Sequence, residues 1–187
     1  MSSHHLTPPV GDGDHVQGDP GAAVTLVEYG DYECPYCGQA YPIIKRVQAR
    51  FGPRLRFVFR NFPLSEIHPH ALHAAEAAES VDAHQGPVAF WAMHDLIYEH
   101  QREGAAALGD AGLARLASRA GVDGDTVLSD LREEVHQSRV RSDFMSGVRS
   151  GVNGTPTFFI NGRRFDGSWD EEGLAAALEA AQYVAQE

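Results

Sequence analysis

Two cysteines, Cys34 and Cys37, are the residues whose type and spacing point most directly to chemistry. They are the only cysteines of the chain, and Pro35 and Tyr36 separate them. A disulfide scaffold needs more than two cysteines. In a cytosolic protein, a Cys-x-x-Cys pair is more often redox-active or metal-binding than structural. The pair therefore predicts either thiol–disulfide exchange or half of a metal site.

The elements predicted around the pair favour redox chemistry. Residues 23–29 are rich in Val and Leu and predict a buried strand, and residues 35–50 carry apolar side chains at helical spacing. Cys34 then lies at a helix N-terminus, where unpaired N–H groups and the helix dipole favour a thiolate and lower the thiol pKa. Cys37 follows about one turn later and is placed to attack a mixed disulfide at Cys34. A structural zinc site needs four ligands, and no second Cys pair is present.

The other elements predict an α/β fold that is interrupted by helices. Alternating apolar residues predict a second strand at 55–62, and no strand pattern follows until residue 152. A hairpin is predicted at 157–165 because Asn161-Gly162 is a strong turn signal, and a helix closes the chain at 170–182. The order is β-α-β, a helical block, then β-β-α. Since one sheet needs both ends of the chain, the helical block must be an insertion.

The predicted domain organisation follows from this order. Residues 1–20, which are rich in Pro and Gly, are expected to form a flexible or surface-hugging arm. Residues 21–64 and 151–187 are expected to form the α/β domain, and residues 65–150 the helical domain. Within the helical block, Thr126 is predicted to cap a helix. That helix would bury one face, with Val127, Leu128, Leu131 and Val135.

Composition limits the class of protein. The 187 residues are 43% hydrophobic and 22% charged, which is ordinary for a globular domain. The net charge of −11 repels phosphate backbones, so no nucleic-acid partner is expected. The sequence has no apolar run of about 18 residues, so no membrane insertion is expected. Residues 1–20 hold no signal-like apolar run, so we expect a cytoplasmic location, although a leader removed upstream would allow export.

Several segments together resemble one family. They are VTLVEYGDYECPYCGQAYP (24–42), LRFVFRNFPL (55–64), HPHALHAAEAAE (68–79), FWAMHDLIYEHQ (90–101) and GVNGTPTFFINGRRFDG (151–167). On these segments the chain resembles the thioredoxin superfamily, specifically the DsbA-type thiol-disulfide oxidoreductases, in which a helical domain interrupts a thioredoxin fold. It is most similar to DsbA-like domains that are encoded alone or fused to sodium/proton antiporters.

The resemblance also implies roles for further residues. It implies that Pro156 is a cis-proline facing the active site, and that Thr155 and Pro156 bind a substrate peptide as an added strand, beside Pro35 and Tyr36. Without the resemblance, Pro156 would be predicted as an ordinary trans proline at an edge strand. No metal or organic cofactor is implied, because the cysteine pair is itself the redox centre.

Glu28 is a carboxylate in the middle of an apolar strand, six residues before Cys34. Such a group is expected to be partly buried, and desolvation would raise its pKa. Similar proteins have an acid at this position beneath the cysteine pair. We therefore expect Glu28 to relay the proton of Cys37. The alternative is a solvated side chain on an imperfectly alternating strand.

Two groups of polar residues have no clear place in this scheme. His68, His70 and His73 are spaced closely enough to bind a metal, or they cap a helix and pack between domains. The arginines of the second strand are expected on its solvated face, and pairing of Arg60 with Glu28 is a weaker alternative.

The sequence thus predicts a thiol-disulfide oxidoreductase that exchanges disulfides with protein or peptide substrates. Because the Pro-Tyr dipeptide differs from the Pro-His of the best-known DsbA proteins and the expected compartment is reducing, we expect reductase work, with an unidentified redox partner that recycles the pair. Oxidase work after export stays an alternative. One alternative is a regulatory module of thioredoxin fold that senses redox state or binds peptides. Another is a metal-binding protein that uses Cys34, Cys37 and the cluster that begins at His68.

Overall fold

A computed structural model describes residues 4–184 as one five-stranded sheet and a set of helices. The strands, in chain order, are β1 (His15–Gly18), β2 (Val24–Gly30), β3 (Leu55–Asn61), β4 (Thr157–Ile160) and β5 (Arg163–Phe165). Their order in the sheet is β1-β3-β2-β4-β5. The pairs β1–β3, β2–β4 and β4–β5 are antiparallel. The mixed α/β class with helices inserted between β3 and β4 is confirmed.

Most of the helical residues lie between β3 and β4. The α-helices are α1 (Pro35–Phe51), α2 (Ala71–Gln85), α3 (Pro87–His100), α4 (Ala105–Leu108), α5 (Asp110–Ala120), α6 (Gly124–Arg132), α7 (Gln137–Arg149) and α8 (Glu171–Val184). Short 3-10 turns occupy Gly52–Arg54 and Gln101–Glu103. Among the described residues, none of these helices combines the length and the apolar character that a bilayer crossing needs.

The chain divides into two compact units. The sheet unit comprises residues 4–30, 39–60 and 145–184, and the helical unit comprises residues 31–38 and 61–144. The segment 31–38, which carries both cysteines, therefore belongs to the helical unit. The boundaries predicted from the sequence stay a prediction.

The sheet unit has an apolar core because its central strands are buried along their whole length. Every residue of β2 and of β4 is buried, which matches their runs of Val, Leu, Ile and Phe. Tyr29 of β2 packs edge-on against Phe159 of β4, with ring centroids 5.8 Å apart. Leu174 and Leu178 of α8 are fully buried as well. This packing fixes the strand that precedes the cysteine segment and the strand that follows the predicted cis-proline.

The N-terminal segment contains a strand that the sequence did not predict. β1 pairs with β3, and residues before it are held by Arg60, whose side chain is 3% exposed. The guanidinium donates two hydrogen bonds to Asp14, at 2.7 and 2.9 Å, and others to the carbonyl oxygens of Pro8 and Pro9. It also donates to the hydroxyl of Tyr29 at 2.9 Å.

The expectation that Arg60 faces solvent is therefore wrong. Burial opposes the charged form of Arg60, but the hydrogen bonds to Asp14 and Tyr29 outweigh it and raise the guanidinium pKa above its ordinary value. A buried guanidinium is tolerated when its donors are matched by a carboxylate and by further acceptors. The alternation of the strand predicted the face of Arg60, but not the segment that covers it.

One turn agrees with its sequence signal, and one helix cap does not. Asn161 and Gly162 have φ of 48° and 79°, as a tight hairpin requires. α6, however, begins at Gly124 with Asp123 at its N-cap position, so Thr126 lies inside the helix instead of capping it. Val135 lies beyond the end of α6 and is 49% exposed, so it is not part of the buried face.

Candidate functional site

Cys34 and Cys37 occupy the junction between β2 and α1, as the sequence predicted. α1 begins at Pro35, so Cys34 is the last residue before the helix and Cys37 lies in its first turn. Both are thiols in this structure. Cys34 is 4% exposed and Cys37 is 0% exposed, whereas Tyr36 between them is 62% exposed. A sulfur of an incoming molecule can therefore reach Cys34 first.

The carboxylate of Asp31 organises the main chain in front of Cys34. Oδ1 accepts hydrogen bonds from the N–H groups of Glu33, at 2.8 Å, and Cys34, at 3.2 Å. The main-chain carbonyl of Asp31 also accepts from the Cys34 N–H, at 3.1 Å. The N–H of Asp31 itself faces Sγ of Cys37 at 3.5 Å. One residue thus contacts the main chain of the first cysteine and the sulfur of the second.

The second oxygen of Asp31 faces a different stretch of chain. Oδ2 accepts from the N–H of Leu64 at 2.9 Å and lies 2.7 Å from Nδ1 of His68. The Asp31 side chain is fully enclosed, and the His68 side chain is 16% exposed. A buried carboxylate is costly unless donors surround it. Here the donors come from the cysteine loop and from the loop that follows β3, so the carboxylate joins the two.

The carbonyl side of the cysteine loop is held by Gln101. Its Nε2 donates to the main-chain carbonyl of Tyr32 at 2.8 Å and to that of Cys34 at 2.9 Å. Gly38 in α1 leaves the space that this amide fills, because a Cβ at Gly38 would lie 2.0 Å from Oε1 of Gln101. Asp31 and Gln101 therefore clamp the loop from its N–H side and its carbonyl side.

Glu28 lies in β2 and is 3% exposed, so the expectation that this acid is buried agrees with the structure. Its neighbour in the register of the sheet is Phe158 of β4. The alternative of a solvated side chain is therefore excluded. A role for Glu28 in moving a proton stays a prediction.

The peptide bond between Thr155 and Pro156 is cis, as the family resemblance implied. Both residues are half-buried and directly precede β4. Thr157, the first residue of β4, pairs with Tyr29 near the end of β2. The hydroxyl of Thr157 donates to the carbonyl of Gly154 at 2.7 Å, which holds the turn closed. Substrate binding by Thr155 and Pro156 stays a prediction.

Comparison with known proteins decides the family. A family model described as Thioredoxin matches residues 11–180. The chain belongs to this thioredoxin family. The thioredoxin-like chain also matches BdbD of Bacillus subtilis, in its oxidised form, with a TM-score of 0.85, 26% identity and coverage of 97% of both chains. α-DsbA1 of Wolbachia pipientis matches with a TM-score of 0.79 over 99% of this chain and 98% of that one, and at 17% identity it supports the fold alone.

A curated relative extends the comparison to a longer protein. The chain is 46% identical over 170 residues to Na(+)/H(+) antiporter NhaA 1 of Salinispora arenicola. The match covers 91% of this chain but only 25% of that relative, so this thioredoxin-family chain spans about a quarter of its length. The DsbA-type assignment, with helices inserted into a thioredoxin fold, is confirmed.

His68, His70 and His73 of the thioredoxin-family chain do not form one cluster of converging side chains. His68 faces Asp31, whereas Nδ1 of His73 lies 2.6 Å from Oδ1 of Asp110. Within residues 4–184, no group of three converging ligand-type side chains includes these histidines or either cysteine. The geometry therefore does not favour the metal-binding alternative.

Asp31 and Gln101 are the functional candidates that the sequence analysis missed. Asp31 stands three residues before Cys34, the spacing at which an Asp side chain caps a turn, and this signal was available. Gln101 is far away in sequence, and its neighbours carry no pattern that singles it out. Only the folded thioredoxin-family chain shows that its amide meets the cysteine loop.

Proposed function

We propose that the protein exchanges disulfides with protein or peptide substrates through Cys34 and Cys37. The observation that carries this proposal is the position of the pair, with Cys34 slightly accessible before α1 and Cys37 buried in its first turn. The N-terminus of α1 presents N–H groups without helical partners, which favour an anionic sulfur. Cys34 is therefore the attacking thiolate and Cys37 the resolving thiol.

Each step of the exchange balances. The Cys34 thiolate attacks one sulfur of a substrate disulfide, so a Cys34–substrate disulfide forms and the other substrate sulfur leaves as a thiolate. The thiolate of Cys37 then attacks Cys34, which releases the second substrate thiolate and leaves a Cys34–Cys37 disulfide. Two electrons pass to the substrate, and a dithiol of a recycling protein returns two electrons to the pair. The opposite direction runs through the same intermediates.

Glu28 is the proposed proton acceptor for Cys37. The carboxylate of Glu28 is buried in β2, so it exchanges few protons directly with solvent. It is suited to exchange a proton with the thiol of Cys37 through a water molecule. The E28Q variant keeps the shape of the side chain and removes its basicity. Exchange steps that depend on Cys37 should slow in E28Q and stay unchanged in E66Q, which alters an exposed glutamate.

Substrate contact is assigned to Tyr36 with Pro35, and to Thr155 with Pro156. The side chain of Tyr36 is 62% exposed, and a large exposed aromatic beside a reactive sulfur is suited to pack against a polypeptide. The assignment of Thr155 and Pro156 rests on the family resemblance.

The direction proposed is reduction of substrate disulfides in a reducing compartment. The reduction potentials of thioredoxin-like Cys-x-x-Cys couples range from about −270 to about −120 mV, so the measured potential of the Cys34–Cys37 couple decides between reductase and oxidase work. The name of the much longer relative describes ion transport, and we do not propose that activity for this chain.

An insulin-reduction assay tests the enzyme against a regulatory module. The wild-type protein should turn over with a dithiol reductant, C34S should lose all turnover, and C37S should accumulate a mixed disulfide. If wild type and C34S reduce insulin at the same rate, the proposed activity is wrong and a redox-sensing module is favoured. Stoichiometric zinc that is lost in C34S would instead favour the metal-binding alternative.

A further inference from the structure

Asp31 is an acid in a place where exchange chemistry requires none. The turn before Cys34 needs only an acceptor for the N–H groups of Glu33 and Cys34, and Asn or Ser supplies one without a charge. Enclosing a carboxylate costs more than enclosing a neutral acceptor. Asp31 differs from those residues in its negative charge and in its second oxygen, which accepts from the N–H of Leu64 and faces His68.

That charge lies beside the main chain of the residue that carries the reactive sulfur. Oδ1 of Asp31 is 3.2 Å from the main-chain nitrogen of Cys34, and three covalent bonds separate this nitrogen from Sγ. A neighbouring negative charge disfavours a thiolate, whereas the N-terminus of α1 favours it. The two influences act on the same sulfur in opposite directions.

The titratable neighbours of Asp31 come from two stretches of chain. From the loop after β3, His68 faces Oδ2. From the cysteine loop, Glu33 lies on the same turn, but its carboxylate accepts a hydrogen bond from the main-chain N–H of His70, at 2.6 Å. Asp31 is the carboxylate that contacts Cys34 directly, and His68 is the side chain that holds it in place.

We propose that Asp31 is a positioning residue that also restrains the Cys34 thiolate, with His68 as the donor that fixes it. The inference rests on the proposed function and deepens it. The carboxylate fixes the main chain of Cys34, and the Asp31 N–H is aimed at Sγ of Cys37. Its charge limits the stability of the reduced, thiolate form, which makes the couple less oxidising. This agrees with the direction of reduction proposed above.

The D31N variant removes the charge and keeps an acceptor for the N–H groups of Glu33 and Cys34, while its amide nitrogen replaces the oxygen that accepts from Leu64. Removing the charge should lower the pH midpoint of Cys34 alkylation by iodoacetamide by roughly one pH unit, the scale of a unit charge acting across a few ångströms of partly solvated protein. The reduction potential should become more positive. A residue that only holds the loop would give the opposite result, because a loosened loop loses the favourable position of Cys34 at the helix N-terminus.

A pair of His68 variants tests the same contact if D31N does not fold. Asn places its amide where Nδ1 of His68 lies and keeps the donor to Asp31, whereas Leu removes the donor. Without this donor the Asp31 carboxylate is no longer held beside Cys34, so H68L should lower the alkylation midpoint as D31N does, and H68N should restore it to near the wild-type value. The pH range of the measurement should extend from about 4 to 9, so that it includes both an ordinary thiol and a strongly perturbed one.

The outcomes separate this inference from the proposed function. A folded D31N with an unchanged or raised midpoint overturns the role of Asp31, even where insulin turnover is normal. Identical midpoints in H68L and H68N overturn the role of His68. If the wild-type protein reduces no insulin, the proposed function fails, while the alkylation measurements still decide whether Asp31 restrains Cys34.

Discussion

Nε2 of Gln101 lies 2.9 Å from the carbonyl oxygen of Cys34, the residue that immediately precedes α1. The same carbonyl accepts the N–H of Gly38, at 3.1 Å, so it takes part in the first helical hydrogen bond and in a side-chain contact. The reactive cysteine is therefore tied to a residue 67 positions away in the chain. This contact makes the shape of the cysteine loop depend on the packing of the helical unit.

Removing the Gln101 amide should loosen the cysteine loop. Q101A leaves the carbonyls of Tyr32 and Cys34 without their side-chain donor, and we expect a loss of about 1–3 kcal/mol in the free energy of unfolding. Urea denaturation measures this loss, and Q85A, which alters an exposed glutamine, is the control. An equal loss in both variants would show that the contact with Cys34 contributes nothing.

Gly38 and Gln101 should show strong coupling in a double-mutant cycle. In G38A the new Cβ would lie 2.0 Å from Oε1 of Gln101, so the amide must move and its two hydrogen bonds are lost. We expect G38A to be destabilising in the wild type. In the Q101A background the same change should become stabilising by up to about 1 kcal/mol, because Ala is a better helix former than Gly. Urea denaturation of the four proteins measures the coupling, and additive effects would contradict it.

The buried pair of Arg60 and Asp14 should matter far more than a surface pair. R60Q leaves Asp14 without its cationic partner, and breaking a buried pair by removing one member costs about 3–5 kcal/mol. R46Q removes the more exposed pair between Arg46 and Glu171, and should cost less than about 1 kcal/mol. Thermal and urea unfolding of both variants compare the two. Similar losses would mean that Arg60 does not secure the N-terminal segment.

Glu76 should make the protein less stable as the pH rises. Its side chain is buried, Oε1 has no hydrogen-bond partner within the part of the chain that the structure describes, and burial raises the carboxyl pKa. The neighbouring charges of His73 and His136 lower this pKa, and those of Glu134 and Asp110 raise it further. The folded state therefore holds the proton more tightly than the unfolded state does.

The sign follows from that difference in proton binding. Protonated Glu76 leaves the folded state fully stable below the unfolded pKa of about 4.3 for Glu. That part of the stability is lost as the pH rises through the higher pKa of Glu76 in the folded state. E76Q should therefore be more stable than wild type at pH 7, and this advantage should vanish toward pH 4. Urea denaturation across this range measures it. E66Q controls for the change in net charge, and an advantage of E76Q that is independent of pH would contradict the role of burial.

The sequence carried enough information for the elements that depend on local patterns. Buried runs of apolar residues predicted β2 and β4, and Asn161-Gly162 predicted the hairpin, because turn geometry selects its residues directly. The cysteine pair and the cis bond at Pro156 were also accessible, the first from its own chemistry and the second from the family resemblance.

What the sequence did not predict depends on contacts between distant segments. β1 is a strand because it pairs with β3, and Arg60 is buried because residues 8–14 cover it, and neither fact is visible in a local window. α7 lies inside the predicted helical domain, but it was not predicted as a separate helix because its sequence is largely polar, although its Val140 is 1% exposed. Gln101 was missed for the same physical reason, since its partners lie far away in the chain.

The burial of Arg60 has a practical consequence for shortened versions of the protein. A chain that starts after Asp14 would still contain β1, the strand that pairs with β3. The guanidinium of Arg60, however, would lose the carboxylate of Asp14 and the carbonyl groups of Pro8 and Pro9. Deletion series and affinity tags should therefore leave residues 8–14 intact. A fragment trimmed to begin at β1 should therefore be less stable to urea than the full chain, even though its cysteine segment is unchanged.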